Sequence, residues 1–144
     1  MGLMSGTSMD GIDLSLIKSN GYDEFTTILD KYFEFDKNLQ RKLIVFRDQI
    51  NTTNDLEKYS REIQDLEREF TLFHVKILDE ILTNSKHKIE LIGFHGQTVL
   101  HNSEKKISKQ IGDGKLLSQL TKKIVINNFR INDLKKDGQG APLT

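Results

Sequence analysis

The chain has 144 residues, 36% hydrophobic and 29% charged, which fits one domain with enough apolar content to bury a core without staples. Its 21 Lys and Arg balance 21 Asp and Glu, so no net field gathers nucleic acid or an anionic membrane, and the lack of cysteine excludes disulfides, thiolate metal sites and cysteine nucleophiles. No apolar run approaches the roughly 20 residues of a membrane span, and no basic stretch leads into an apolar one at the start, so a cytoplasmic protein is the default.

The first residues are glycine- and serine-rich: Gly2, Ser5, Gly6, Thr7, Ser8 and Gly11. They predict a strand stub and a tight turn. Ile12, Leu14 and Leu16 alternate with Asp13 and Ser15, which predicts a strand over 12–17. Asn20-Gly21 is a hairpin turn dipeptide, and a second strand rich in aromatic and β-branched residues follows from about Thr26 to Phe35. Asp36 is a good N-cap for a helix over 37–50. After the loop Asn51 to Asn54, the apolar stripe Leu56, Tyr59, Ile63, Leu66, Phe70, Phe73 and Ile77 predicts one long amphipathic helix to about Leu82. His74 and His87 are expected at the surface of this helix or beside it. Ile89 to Phe94 reads as a buried strand, with a second short strand at Val99 to His101. Gly112 to Gly114 is a turn, Lys115 to Thr121 a short helix, Ile124 to Ile126 a buried strand, and Asp137 to Thr144 a polar loop. Hairpins first, then strands alternating with helices, predict an α/β domain with a mixed sheet.

The segment that could carry chemistry is Gly6-Thr7-Ser8-Met9-Asp10-Gly11-Ile12-Asp13. Successive N–H groups in a glycine-rich turn form an anion-binding nest, and Thr7 and Ser8 add hydroxyl donors. Asp10 and Asp13 would repel bare phosphate but suit Mg²⁺ placed between, since that ion takes carboxylate and water oxygens. An ordinary hairpin turn is the plain alternative. The helix-linked Gly-x-x-x-x-Gly-Lys phosphate loop is absent.

Four ordered blocks carry a family resemblance: residues 2–13; Gly93-Phe94-His95-Gly96-Gln97-Thr98 with His101; Gln110 to Gly114; and Asn128-Phe129-Arg130 through Gly138-Gln139-Gly140-Ala141-Pro142-Leu143. Together they resemble the anhydro-N-acetylmuramic acid kinases. The resemblance implies an actin-like (ribonuclease H-like) α/β domain, a mixed sheet starting in hairpins and packed by helices, with ATP and sugar held in a cleft between two domains. It implies an ATP- and Mg²⁺-dependent reaction that opens 1,6-anhydro-N-acetylmuramic acid with water, places phosphate on O6, and so recycles cell-wall sugars. Gly6 to Asp13 would bind phosphate, with Asp10 and Asp13 toward Mg²⁺. His95, Gln97 and Thr98 follow a buried strand, where open α/β sheets place their crevice. They would contact the sugar or help order the cleft, the plain alternative being side chains that hydrogen-bond backbone in a turn. Arg130 could fork onto the sugar's lactyl carboxylate or anchor its loop to an acidic neighbour. His101 is expected to be structural.

Two residues depart from the family pattern: Asn128 stands where an aspartate usually begins Asp-Phe-Arg, and Asp137 where a glycine usually stands. By its length, residues 1–144 are expected to be the N-terminal phosphate-binding domain alone, with the general-base aspartate, the second phosphate segment and the adenosine pocket in an absent second domain. The chain would then work with a separately encoded second domain or as a homodimer. The alternatives are an inactive remnant and a non-enzymatic nucleotide-binding or interaction module.

Overall fold

The computed structural model describes residues 1–140; Ala141, Pro142, Leu143 and Thr144, which end the fourth block and the expected tail loop, lie outside the described residues. In chain order the elements are β1 (Gly2–Ser5), β2 (Gly11–Ser19), β3 (Phe25–Glu34), α1 (Lys37–Gln49), α2 (Thr53–Lys58), α3 (Ser60–Asn84), β4 (Leu91–Asn102), β5 (Ile107–Ile111), α4 (Gly114–Thr121), β6 (Ile124–Ile126) and α5 (Ile131–Lys135). The result is a mixed α/β domain with one six-stranded sheet packed by helices, as expected of an actin-like domain.

β1 is short but central. It pairs antiparallel with β2 and parallel with β4. The ladder also takes in Met1, whose carbonyl accepts from Gly93 N–H at 2.8 Å. β3 is the outer strand beyond β2, while β5 and β6 share the other edge of β4: β6 runs parallel along Leu91–Gly93 and β5 antiparallel along Gln97–Asn102.

The alternation read in the sequence sets which face is covered. Leu3, Leu14, Ile12, Ile92 and Phe94 are buried and share a face. Leu39 and Leu43 of α1 and Leu66, Phe70, Leu78 and Ile81 of α3 are buried in the same core. Asp36 caps α1 as expected, its carboxylate accepting from Asn38 and Leu39 N–H, both at 3.0 Å.

Five expectations change. The helix expected from Leu56 is two helices, because Thr52 and Asp55 form a capping box that starts α2 early, and the chain turns at Tyr59 before α3. The strands expected at 89–94 and 99–101 are one strand, β4, bent by extra residues rather than broken. β5 and α5 were not foreseen, since neither five-residue segment is long enough to show a period. β6 forms where expected, yet Ile124 and Ile126 are 67% and 45% exposed because only the Val125 face meets the helices.

His74 is the fifth, and the sharpest. It is 1% exposed, not at the surface. The buried stripe of α3 runs Phe70, His74, Ile77, Leu78, so the imidazole fills the four-residue step after Phe70. Its Nδ1 lies 2.8 Å from Phe70 O, and its ring packs against Phe70 and Phe94 at centroid distances of 4.3 and 4.9 Å.

Candidate functional site

The β1–β2 turn is built by local rules. β1 ends at Ser5, Met9 N–H closes the turn onto Gly6 O at 3.1 Å, and β2 begins at Gly11. Met9 takes a left-handed φ of 56° and is held there by its fully buried side chain. Ile12 is also fully buried, so contacts from Met9 or Ile12 to a ligand run through backbone. The polar residues around them are outward: Thr7, Ser8, Asp10 and Asp13 are all exposed. The Ser8 hydroxyl donates to Asp10 Oδ1 at 2.6 Å. That hydrogen bond, before any other cause, holds the Asp10 carboxyl below the usual carboxylate range. The Tyr32 ring lies over Gly11, where an added Cβ would fall 2.7 Å from its Cζ and 2.3 Å from the Phe33 carbonyl oxygen.

Behind the turn, Gln97 is fully buried and Ser5 is 3% exposed. Gln97 Nε2 donates to Gly6 O at 3.0 Å, and Ser5 Oγ lies 2.5 Å from Gln97 Oε1 and 3.1 Å from Gly11 O. Gly96 makes this possible. Leu3 pairs with Phe94 and Ser5 with Gln97, so β4 spends one extra residue there, a β-bulge. Gly96 sits in the bulge at φ 74°, and a Cβ on it would lie 2.5 Å from Ile111 O.

His95 precedes the bulge and follows inward-facing Phe94, so it points to the opposite face from the core. The register puts Met4 across from the His95–Gly96 bulge, Asp13 across from Met4 and Tyr32 across from Asp13, giving one uncovered row beside the turn. Arg130 directs Nε and Nη2 to His95 Nε2, both at 3.1 Å. A guanidinium can only donate, so Nε2 accepts and the proton sits on Nδ1, which donates to Gly96 O at 2.8 Å. His95 is thus neutral; burial, opposed by the Gly96 bond and reinforced by the Arg130 charge, pushes its pKa down. Arg130 also reaches Gly140 O at 3.4 Å, so its loop is anchored by a histidine and a carbonyl rather than by an acidic neighbour.

Of the sequence-predicted site residues, the structure brings Gly6 to Asp13, His95 and Arg130 to one side of the sheet's end and sends Gln97 beneath it. Thr98 faces β5, its Oγ1 accepting from Gln110 Nε2 at 3.2 Å. The Gln110 to Gly114 block joins β5 to α4: Asp113 N–H donates to Thr71 Oγ1 at 2.9 Å, and the Asp113 carboxylate caps Leu116 N–H at 2.9 Å. His101 Nδ1 lies 3.2 Å from Ser108 Oγ on β5. Arg47, Tyr32 and Ser5 were missed. Arg47 Nη1 reaches Thr7 O at 3.4 Å from the far end of α1, and no local pattern could have signalled that.

Both departures from the family pattern sit at left-handed backbone, Asn128 at φ 59° and Asp137 at φ 67°. Asn tolerates that region, so Asn128 keeps the turn. Asp137 is held by Lys106 Nζ at 2.5 Å. Asp137→Gly relieves the backbone and loses an exposed ion pair, two opposed effects, so the urea midpoint should stay close to that of the parent chain.

Among the described residues no three His, Cys, Asp or Glu side chains converge as a metal site, and no helix is long and apolar enough to cross a membrane. Asp10 and Asp13 are exposed carboxylates, a donor set that fits Mg²⁺ where phosphate and water oxygens complete the shell.

A family model described as anhydro-N-acetylmuramic acid kinase matches residues 1–144. Curated relatives carrying that same name include one from Pelagibacter ubique (strain HTCC1062), 54% identical over 99% of this chain and 38% of its own length. Others come from Agrobacterium fabrum (strain C58 / ATCC 33970), 37% identical over 99% of this chain and 39% of its own, and Brucella canis (strain ATCC 23365 / NCTC 10854 / RM-666), 35% identical with the same coverage. The chain therefore spans about two fifths of the length of these relatives, matching their N-terminal portion.

Proposed function

The chain belongs to the anhydro-N-acetylmuramic acid kinase family, and on that premise we propose that residues 1–144 are the phosphate-binding domain of an ATP-dependent cytoplasmic kinase acting on 1,6-anhydro-N-acetylmuramic acid. The observation that carries this reading is the exposed Gly6–Asp10 turn, fixed from behind and lined by hydroxyls and an ionised carboxylate.

In the proposed reaction water adds at the anomeric carbon and the 1,6-anhydro bond opens. O6, now a hydroxyl oxygen, takes the γ-phosphoryl group of ATP as ADP leaves, giving N-acetylmuramic acid 6-phosphate and ADP. This chain's part is positioning. The N–H groups of Gly6 to Ser8 and the Thr7 hydroxyl would donate to phosphate oxygens, while Met9 N–H and the Ser8 hydroxyl are already turned onto Gly6 O and Asp10 Oδ1. Asp10 and Asp13 would hold Mg²⁺, which neutralises phosphate charge as it develops. The neutral His95 leaves the Arg130 charge unspent, and the pair presents a cation to the sugar's lactyl carboxylate from the row beside the turn. The general-base aspartate, the adenosine pocket and the opposing phosphate contacts are assigned to a second domain, supplied separately or in a longer chain. Phosphoryl transfer needs stabilisation from both sides of the phosphate, so this chain alone is proposed to be inactive.

The test is ADP release from Mg-ATP, with and without 1,6-anhydro-N-acetylmuramic acid, for the chain alone and mixed with a family-type second half. Sugar-dependent ADP is expected in the mixture only, and Asp10→Asn should lower it by about 100-fold or more. Sugar-dependent ADP from the chain alone would show that the second half is dispensable. No turnover in the mixture, with both parts folded, would favour an inactive remnant.

A further inference from the structure

We infer that Gln97, together with Ser5, is the positioning device that sets the geometry of the Gly6–Met9 turn; for its link to phosphate, the inference rests on the reading given above. Its residue type and its place after a buried strand suggest a side chain reaching the sugar, but the structure turns it the other way. Gln97 is fully buried, and both ends of its amide are committed. Nε2 donates to Gly6 O at 3.0 Å, the carbonyl that also receives Met9 N–H at 3.1 Å. Both lone pairs of that one oxygen are used, so the peptide plane between Gly6 and Thr7 cannot rotate without breaking two hydrogen bonds. That plane aims the Thr7 N–H of the nest.

The other end of the amide fixes Ser5. Its hydroxyl carries one proton and faces two acceptors, Gln97 Oε1 at 2.5 Å and Gly11 O at 3.1 Å. Ser5 is the last residue of β1 and Gly11 the first of β2, so this hydroxyl spans the mouth of the turn. The clamp thus reaches the turn from a strand 91 residues away in sequence. The bulge at Gly96 exists in the same place: without the extra residue, strand alternation would put residue 97 on the outer face with His95.

The clamp makes a local prediction. Gln97→Met keeps the length and volume of the side chain and removes both polar ends. Gly6 O keeps Met9 N–H and the Ser5 hydroxyl keeps Gly11 O, so no buried polar atom is stranded. Amide hydrogen exchange of the Met9 N–H should then speed up by about tenfold, the equivalent of one net hydrogen bond, while the amides of Leu14 and Phe94 in the flanking strands keep wild-type protection. A merely structural role would loosen turn and strands together.

MgADP titration of the same samples mixed with the family-type second half, followed at the Gly6 to Met9 amides, separates the two ideas. Weaker MgADP binding by about tenfold alongside the faster Met9 exchange supports both. Faster Met9 exchange with no MgADP binding even in wild type supports the clamp and sinks the phosphate reading. Met9 exchange within about twofold of wild type, with the strand amides protected, overturns the clamp. Should Gln97→Met not fold, Gln97→Leu, which removes the same two polar ends, gives the same readout.

Discussion

Lowering the pH from 6.5 to about 4 should cost the folded chain about 3 kcal/mol through His74 alone. Full burial pushes the imidazole down to about 4, against an ordinary value of 6.5, and the bond to Phe70 O only partly opposes this. The sign follows from which state takes up the proton. Below pH 6.5 the unfolded chain protonates His74 and the native chain does not, so stability falls as pH drops through the window. Below about 4 both states carry the proton and the slope from this group ends. His95, also shifted down by burial, adds in the same direction. Asp10 and Asp137 are shifted down as well, so their contribution is lost only below the ordinary carboxylate range, a separate and more acid window. The check is a series of urea unfolding curves between pH 7 and pH 4. His74→Leu, which keeps an apolar side chain between Phe70 and Phe94, should flatten most of the slope. An equal slope in that variant would place the acid sensitivity elsewhere.

Gly96→Ala is the substitution expected to damage the fold most for the fewest added atoms. A left-handed φ of 74° costs a residue with a Cβ about 1–2 kcal/mol. The new methyl would also lie 2.5 Å from Ile111 O, a backbone atom held in the β4–β5 ladder. Relief requires parting the two strands or straightening the bulge, and straightening it pulls Gln97 out from under the Gly6–Met9 turn. The combined loss should be at least about 3 kcal/mol in urea unfolding. A loss under about 1 kcal/mol would mean that the bulge rearranges freely, which the packing of Gln110 and Ile111 around it argues against.

The comparison of sequence with structure turns on periodicity and distance. β2, β3, α1 and the α3 stripe were legible because each repeats a side-chain period for long enough to be counted, and Asp36 announced its helix by local chemistry. β5, α5 and the break at Tyr59 were not, because five residues carry no period and a capping box outranks a continuing apolar stripe. His74 was misplaced for a related reason: a polar residue within an apolar stripe reads as surface until the neighbouring ring that receives it, Phe94 from β4, is brought there by the fold.

The sequence by itself determined the family, the α/β class and the turn that carries the proposed chemistry. Those depend on residue types close together in the chain: glycines that admit a tight turn, hydroxyls and carboxylates beside them, and alternation that decides which side is wet. Tertiary structure alone decided what each site residue does. Gln97 became a support, because an extra residue in β4 turned it inward. Arg130 found His95 rather than an acid, which fixes the histidine's tautomer and leaves the cation available. Arg47 reached Thr7 from 40 residues away. These are contacts between elements, set by sheet register and helix docking, and neither is encoded in any local run of residues.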